Sequence, residues 1–261
     1  TLLAEDIKLC HNQEVKGLSG SRNYGKRWAK GEVITFFDDD AIAAADWLEE
    51  LIKPYADDNV VAVGGLVLPQ ADSLPGWFPE EFLWVLGCTY KGHPKELAPV
   101  RNVFGGNCSF RRTCMDQAGD FLPFIGRKGD IQLTGEETEY CMRVHQLMPH
   151  KQILFNPAAR IYHKITAERL SPGYFIKRTF STGYSSAVIH QLVPKYGLGT
   201  EQHFLRHILC SFLPKTVAKL PRLGAAAQLC AVTMGILSTG LGYVVGRCSK
   251  VPKGMSLHEA N

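Results

Sequence analysis

The chain has 261 residues, 45% hydrophobic and 21% charged, a composition that allows a packed core and excludes wholesale disorder. Its net charge of +4 hides a polarity: residues 1–150 hold 22 acids against 15 bases, and residues 151–261 hold 3 acids against 14 bases. An acidic front suits cations and a basic back suits phosphate-rich surfaces; no nucleic-acid-reading motif accompanies the bases, so nucleic acid is not an expected partner.

Residues 1–14 read as the tail of an element and a loop, and Gly17 to Gly20 as a turn. Ser21 to Lys30 has helical character, closed by Gly31 in the manner of a C-cap. The run Val33-Ile34-Thr35-Phe36-Phe37 has the length and β-branching of a buried strand. It stops at Asp38-Asp39-Asp40. Asp46-Trp47-Leu48-Glu49 is a capping-box-like start for a helix to about Tyr55. Val60 to Leu68 then closes a strand–helix–strand unit of the kind that builds parallel sheets.

Residues 69–99, rich in Pro, Gly and aromatics, read as a long excursion that shapes a cleft. Val103 to Arg111 reads as a strand running through Gly105-Gly106. Glu136 to Leu147 reads as a helix, with Glu139 and Arg143 paired one turn apart and Tyr140, Val144 and Leu147 on one face. Ile153–Phe155 and Arg160–Tyr162 are short strand candidates around Pro157, and Arg169 to His190 is a basic, aromatic helix ended by Pro194. Leu223 to Gly246 is a run of 24 residues with no ionisable side chain apart from Cys230 and Tyr243. It is long enough to cross a bilayer. Its five glycines and Gln228 leave three placements open: across a membrane or re-entrant, in the interface, or packed on the domain. Lys215, Lys219 and Arg222 before it and Arg247, Lys250 and Lys253 after it give no orientation. The eight cysteines form no CxxC pair and read as buried thiols of a reducing compartment.

Three adjacent aspartates at the end of a buried strand repel one another, and they signal a hard cation such as Mn²⁺ or Mg²⁺ or a helix start. Open α/β sheets place ligands beyond those strand ends. Gly135-Glu136-Glu137-Thr138-Glu139 sets carboxylates where a loop enters a helix, suited to general-base chemistry or to the helix dipole. His163, ending a strand, is either structural or a ligand that completes a site near Asp40.

The order of these pieces carries more than any one of them. Gly17-Leu-Ser-Gly-Ser-Arg-Asn-Tyr-Gly25, Ala29-Lys-Gly-Glu32, Phe36-Phe-Asp-Asp-Asp40, Asp46-Trp-Leu-Glu49, Gly105-Gly-Asn-Cys-Ser-Phe-Arg-Arg112 and Gly135-Glu-Glu-Thr-Glu139 resemble family 2 glycosyltransferases over residues 15–190. The strand ending at Tyr162-His163 continues the match.

The resemblance implies a GT-A fold, an α/β architecture with a mostly parallel sheet flanked by helices. It also implies inverting transfer from a nucleoside-diphosphate sugar, UDP- or GDP-linked, to a lipid-linked or saccharide acceptor. Asp40 then becomes a direct ligand of Mn²⁺ or Mg²⁺, with His163 completing the site and Asp38 or Asp39 facing the nucleotide. Glu137 matches the general base, where relatives often carry Asp; Glu136 is its substitute. Arg22 and Asn23 fall near the donor, and Asn107 lines the sugar pocket. Phe124-Ile-Gly-Arg-Lys-Gly-Asp130 departs from the family's Gly-Gly-Phe-Asp wording on the acceptor side. The family's first strand and base-binding residues should precede Thr1, so the chain is expected to be N-terminally truncated.

The resulting division is a catalytic core over 1–165 and a helical, basic, membrane-associated region over 166–261, held at the cytoplasmic face. A sugar-nucleotide nucleotidyltransferase and a non-catalytic membrane-docking module are the alternative readings.

Overall fold

The computed structural model describes residues 7–71, 73–128, 131–193, 199–220 and 223–249. Thr1, Asp130, Pro194, Arg222, Lys250 and Lys253, named above, lie outside them.

Gly17, at φ 112°, turns the chain into α1 (Leu18–Trp28), which starts earlier than Ser21 because Ser19 and Gly20 belong to its buried face together with Arg22 and Asn23. The helix ends in an extended Ala29 rather than at Gly31. The apolar run forms β1 (Val33–Phe37), followed after the aspartates by a short β2 (Ala41–Ala43). Asp46 precedes α2 (Trp47–Ile52), which tightens into a 3₁₀ turn at Lys53–Ala56. Its carboxylate makes no capping bond and accepts from Arg160 at 3.3 Å instead.

After β3 (Val60–Gln70) the excursion contains a 3₁₀ segment, Glu80–Leu86, and β4 (Ala98–Pro99). Next come β5 (Asn107–Arg111), α3 (Arg112–Ala118), a hairpin of β6 (Arg127–Lys128) and β7 (Ile131–Gln132), and α4 (Glu136–Leu147). The two short strands expected around Pro157 are one strand, β8 (Gln152–Lys164), whose register against β3 shifts between Gly65 and Leu66. Helices α5 (Pro172–Leu192), α6 (Gly199–His207), α7 (Leu213–Val217) and α8 (Leu223–Cys248) follow.

The main sheet runs β1-β5-β3-β8-β2, with β4 also on β8. Where a mostly parallel sheet was expected, the pairing among described strands is mixed, and only β3 and β8 pair in parallel. The reason is β5, which lies antiparallel between β1 and β3 and so leaves those two running the same way without touching.

The outer strands β1 and β2 are joined by Asp38–Asp40 alone. A link that short spans at most about 15 Å, so the sheet ends there are drawn together and the aspartates lie across them.

The two largest of the apolar clusters among the described residues hold most of this frame. One joins Ile34, Phe110, Phe121 and Tyr140, with Phe121 stacked on Tyr140 at 4.3 Å. The other gathers Val67, Phe78, Phe82, Ile161, Phe175 and Val232, so α5 and α8 share a core with the back of the sheet. All eight cysteines are free thiols. Four are buried and three are exposed, namely Cys210, Cys230 and Cys248.

Candidate active site

The antiparallel pairing of β2 with β8 sets Ala41 opposite His163, and Lys164 N–H donates to the Asp40 carbonyl at 2.9 Å. Asp40 is thereby held beside the histidine. Asp38, at the end of β1, completes the group: Asp38, Asp40 and His163 each present one ligand atom within 4.8 Å of the others. His163 is 6% exposed, and its Nε2 stands 3.6 Å from Asp40 Oδ2. Asp39 is exposed and does not join them. Two carboxylate oxygens with one imidazole nitrogen fit a cation that accepts both donor types, Mn²⁺ more readily than the oxygen-demanding Mg²⁺.

Arg169, not among the site residues expected from the sequence, stands at the edge of this group. Its NH1 lies 2.9 Å from His163 Nε2 and its NH2 lies 3.8 Å from Asp40 Oδ2. The available signal was its place between a strand ending in His163 and the Ser171 that caps α5, whose Oγ accepts from Tyr174 N–H at 3.2 Å.

The loop before β5 connects the acid group to the second cluster. A Cβ on Gly106 would collide with the Asp38 carboxylate, and one on Gly105 would meet Arg22 NH2 at 2.6 Å. Only glycine allows both side chains to lie this close to the loop backbone. Arg22, 7% exposed, donates through NH1 to Glu136 Oε1 at 2.7 Å. Burial by itself would lower the Arg22 pKa, but Glu136, Glu137 and Asp38 together hold it above its ordinary value.

At α4, Gly135 takes φ 93°, and the loop before it is held by Thr134 N–H donating to Ser185 Oγ on α5 at 3.0 Å. The three acids of the first turn then divide by partner. Glu136 belongs to Arg22, and Glu139 takes both arms of Arg143 at 2.8 and 2.9 Å. Glu137 is left, with its carboxyl hydrogen-bonded to Glu136. Burial, then the Glu136 charge, pushes its pKa up to about 8. Such a group takes and releases a proton near neutral pH.

Asn23 and Asn107 occupy different ground from the acids. Asn23 exchanges two hydrogen bonds with the Phe121 backbone, both at 2.8 Å, and so ties α1 to the loop after α3. Asn107, 0% exposed, donates to Leu66 O at 3.1 Å and Ala159 O at 3.0 Å and accepts from Trp47 Nε1 at 2.8 Å. Its amide ties the start of β5 to β3 and β8, and Trp47 is the partner the sequence did not reveal.

Residues 3–118 match the family described as Glycosyl transferase family 2. That stretch includes Arg22, Asp38–Asp40 and Asn107 and stops before Glu136, Glu137 and His163. Over 247 residues, 93% of this chain, the sequence is 33% identical to a glucosyl-dolichyl phosphate glucuronosyltransferase of Haloferax volcanii, 78% of which is covered. The backbone is similar to a mannosyltransferase, PcManGT from Pyrobaculum calidifontis in complex with GDP-Man and Mn²⁺, with TM-score 0.51 and 16% identity over 90% of this chain and 66% of that one. A weaker likeness is to a crystal structure of GalNAc-T7 with UDP, GalNAc and Mn²⁺, with TM-score 0.44 and 17% identity over 78% of this chain and 45% of that one. The chain thus spans less than half of the second structure and about two thirds of the first.

Proposed function

The chain belongs to glycosyl transferase family 2, and from that premise we propose that it moves a sugar, with inversion, from a nucleoside-diphosphate sugar to a hydroxyl of a lipid-linked saccharide. Its fold is GT-A, and its membership sets aside the nucleotidyltransferase and docking-module readings. One observation carries the proposal. The Asp38–Asp40–His163 group and the protonatable Glu137 are joined in one site through Gly105-Gly106 and Arg22.

Asp38, Asp40 and His163 would hold a divalent ion, Mn²⁺ by donor type. Such an ion supplies positive charge against the charge building on the departing diphosphate. Arg169 adds a fixed cation on the same side. Asp39, exposed beside the group, is left to face the nucleotide. Glu137 accepts the proton of the acceptor hydroxyl as its oxygen bonds to the anomeric carbon and the bond to the diphosphate breaks. Glu136, bound to Arg22, keeps Glu137 poised rather than acting as the base itself. Inversion follows because a single displacement on the face opposite the leaving group needs one base and no covalent intermediate.

The name of the Haloferax relative joins a glucosyl-dolichyl phosphate to glucuronosyl transfer. It supports an isoprenoid-phosphate-linked sugar as acceptor and a hexuronic acid as the transferred group. An acceptor anchored in a membrane favours work at the cytoplasmic face, where nucleotide sugars are made.

The test is thermal protection of the chain by UDP and by GDP, each with and without Mn²⁺, followed by release of sugar from the uronic-acid conjugate of the base that protects. Protection that needs both metal and nucleotide and disappears in D40A supports the site. Protection by neither nucleotide in the presence of Mn²⁺ refutes it.

A further inference from the structure

We infer that the outer face of α8, with the groove it forms against α5, docks in the plane of a lipid bilayer, so that this helix lies along the membrane instead of crossing it. The inference goes beyond sugar transfer and stands whether or not the donor assignment is correct.

By length and composition alone, Gly224–Cys248 is fit to cross a membrane, since 25 residues of helix rise about 38 Å. Its packing argues otherwise, because one face is fixed to the protein body from end to end. Gln228 donates to Gly76 O at 3.1 Å, and Val232, 2% exposed, sits among Phe82 and Phe175. Gly235 lies against Phe82, and Ser238 donates to Ile176 O at 3.0 Å. Further along, a Cβ on Gly242 would collide with the Phe180 carbonyl, and one on Gly246 would meet the Tyr184 carbonyl at 2.6 Å. A crossing α8 would either give up all of these contacts or carry α5, with Lys177 and Arg178, into hydrocarbon at several kcal/mol per charge.

The opposite face carries no charge and no protein cover among the described residues. Met234 is 49% exposed, Leu237 62%, Leu241 59% and Val244 60%. Contiguous apolar surface of this kind marks a contact with something apolar. Its surroundings identify the occupant as lipid. Next to α8 packs α7, where the exposed Val217 stands between the exposed Lys215 and Lys219, with Leu209 exposed before the helix and Leu220 exposed just after it. Apolar residues set among lysines are the pattern of a helix seated about 5–10 Å into a headgroup layer. Between α5 and α8 runs a groove of about 570 Å³, walled by Ile176, Phe180, Met234, Leu237 and Leu241 with Lys177 beside them. An acyl chain fits the apolar walls, and the ammonium meets the headgroup phosphate. The excess of bases after residue 150, 14 against 3 acids, selects an anionic leaflet.

The experiment uses the full chain, floated with phosphatidylcholine vesicles with and without phosphatidylserine, and two variants. L237E/L241E changes only exposed positions, so its Tm should equal that of the wild type while vesicle binding falls roughly tenfold or more. G242L acts on the packed face, and its Tm, followed by tryptophan fluorescence, should drop by roughly 5 °C or more both in solution and on vesicles. Vesicle binding by L237E/L241E equal to wild type overturns the inference. So does vesicle-bound G242L with wild-type stability, since a helix that had left the body to cross the bilayer would not feel that substitution. Loss of self-association in L237E/L241E with vesicle binding intact would assign the face to a second copy of the chain and also overturn it.

Discussion

Arg22→Met is the substitution whose outcome most directly tests how the site is held. Arg22 and Glu136 lie 2.7 Å apart with side chains 6% and 6% exposed, and Glu137 and Asp38 add to the same negative surroundings. Removing one partner of a buried pair costs about 3–5 kcal/mol, because the desolvated charge left behind has nothing to offset it. In a chain this size each kcal/mol lowers Tm by roughly 2–4 °C, so R22M should melt roughly 6–20 °C below the wild type. R22M/E136Q removes the stranded charge and should recover most of the loss, because apolar or neutral replacements of both partners are often close to neutral. Reversible urea unfolding of the wild type, both single variants and the double variant closes the cycle. A cost below about 1 kcal/mol for R22M, or a double variant no better than R22M, would show that the pair is solvent-screened and that Arg22 does not hold the acids.

Glu137 carries two expectations. Its carboxyl titrates near 8 in the folded chain against an ordinary 4.5, so the folded state keeps a proton the unfolded state has released. Stability therefore falls as pH rises through that interval and levels off above it; E137Q should flatten the slope, seen in denaturation from pH 5 to 9. Transfer by the wild type should rise with pH up to about 8, and E137Q should lose about 10²–10⁴-fold in kcat, whereas E136Q should act on stability and on the pH profile. G106A drives a methyl into the Asp38 carboxylate and should weaken Mn²⁺ binding on the order of tenfold or more, read by titration calorimetry with nucleotide present. R169A removes the cation beside His163; it should weaken nucleotide protection while leaving the Tm of the ligand-free chain close to wild type.

How much of this could be read beforehand depended on whether the information was local. The Val33–Phe37 strand and the Glu136–Leu147 helix fell within their expected bounds, because an unbroken β-branched run and an i,i+4 Glu139–Arg143 pair are local statements. Ala41–Ala43 could not be read as a strand, since its partner is more than a hundred residues away. Val103–Arg111 was taken as one strand, but Gly105 and Gly106 are turn residues that accommodate Arg22 and Asp38, a requirement visible only in three dimensions. Tyr140 and Val144, read on one face of α4 with Leu147, are buried, whereas Leu147, the last residue of the helix, is 56% exposed. Motif order named the acids as a set. It could not say that Glu136 and Glu139 are already bound to arginines, and that distribution is what singles out Glu137.

The two proposals meet in α5. Its start follows Arg169 and the acid group by a few residues, and Ser185 on it holds the loop that leads to Glu137. Phe180, on the side facing the groove, lies five residues earlier, an axial rise of about 7.5 Å on a helix about 10 Å across. A lipid-linked sugar places its chain in the leaflet and its hydroxyls in the headgroup layer, a separation of the same order. On both proposals one helix forms a wall of the groove that would take the chain and supports the loop that would present the base, so seating α8 in the leaflet would also bring the base to the height of the acceptor hydroxyl. No hinge or lid would be needed to bring them together, because the α5–α8 contact that would keep α8 in the plane of the leaflet would also fix the distance between membrane and base.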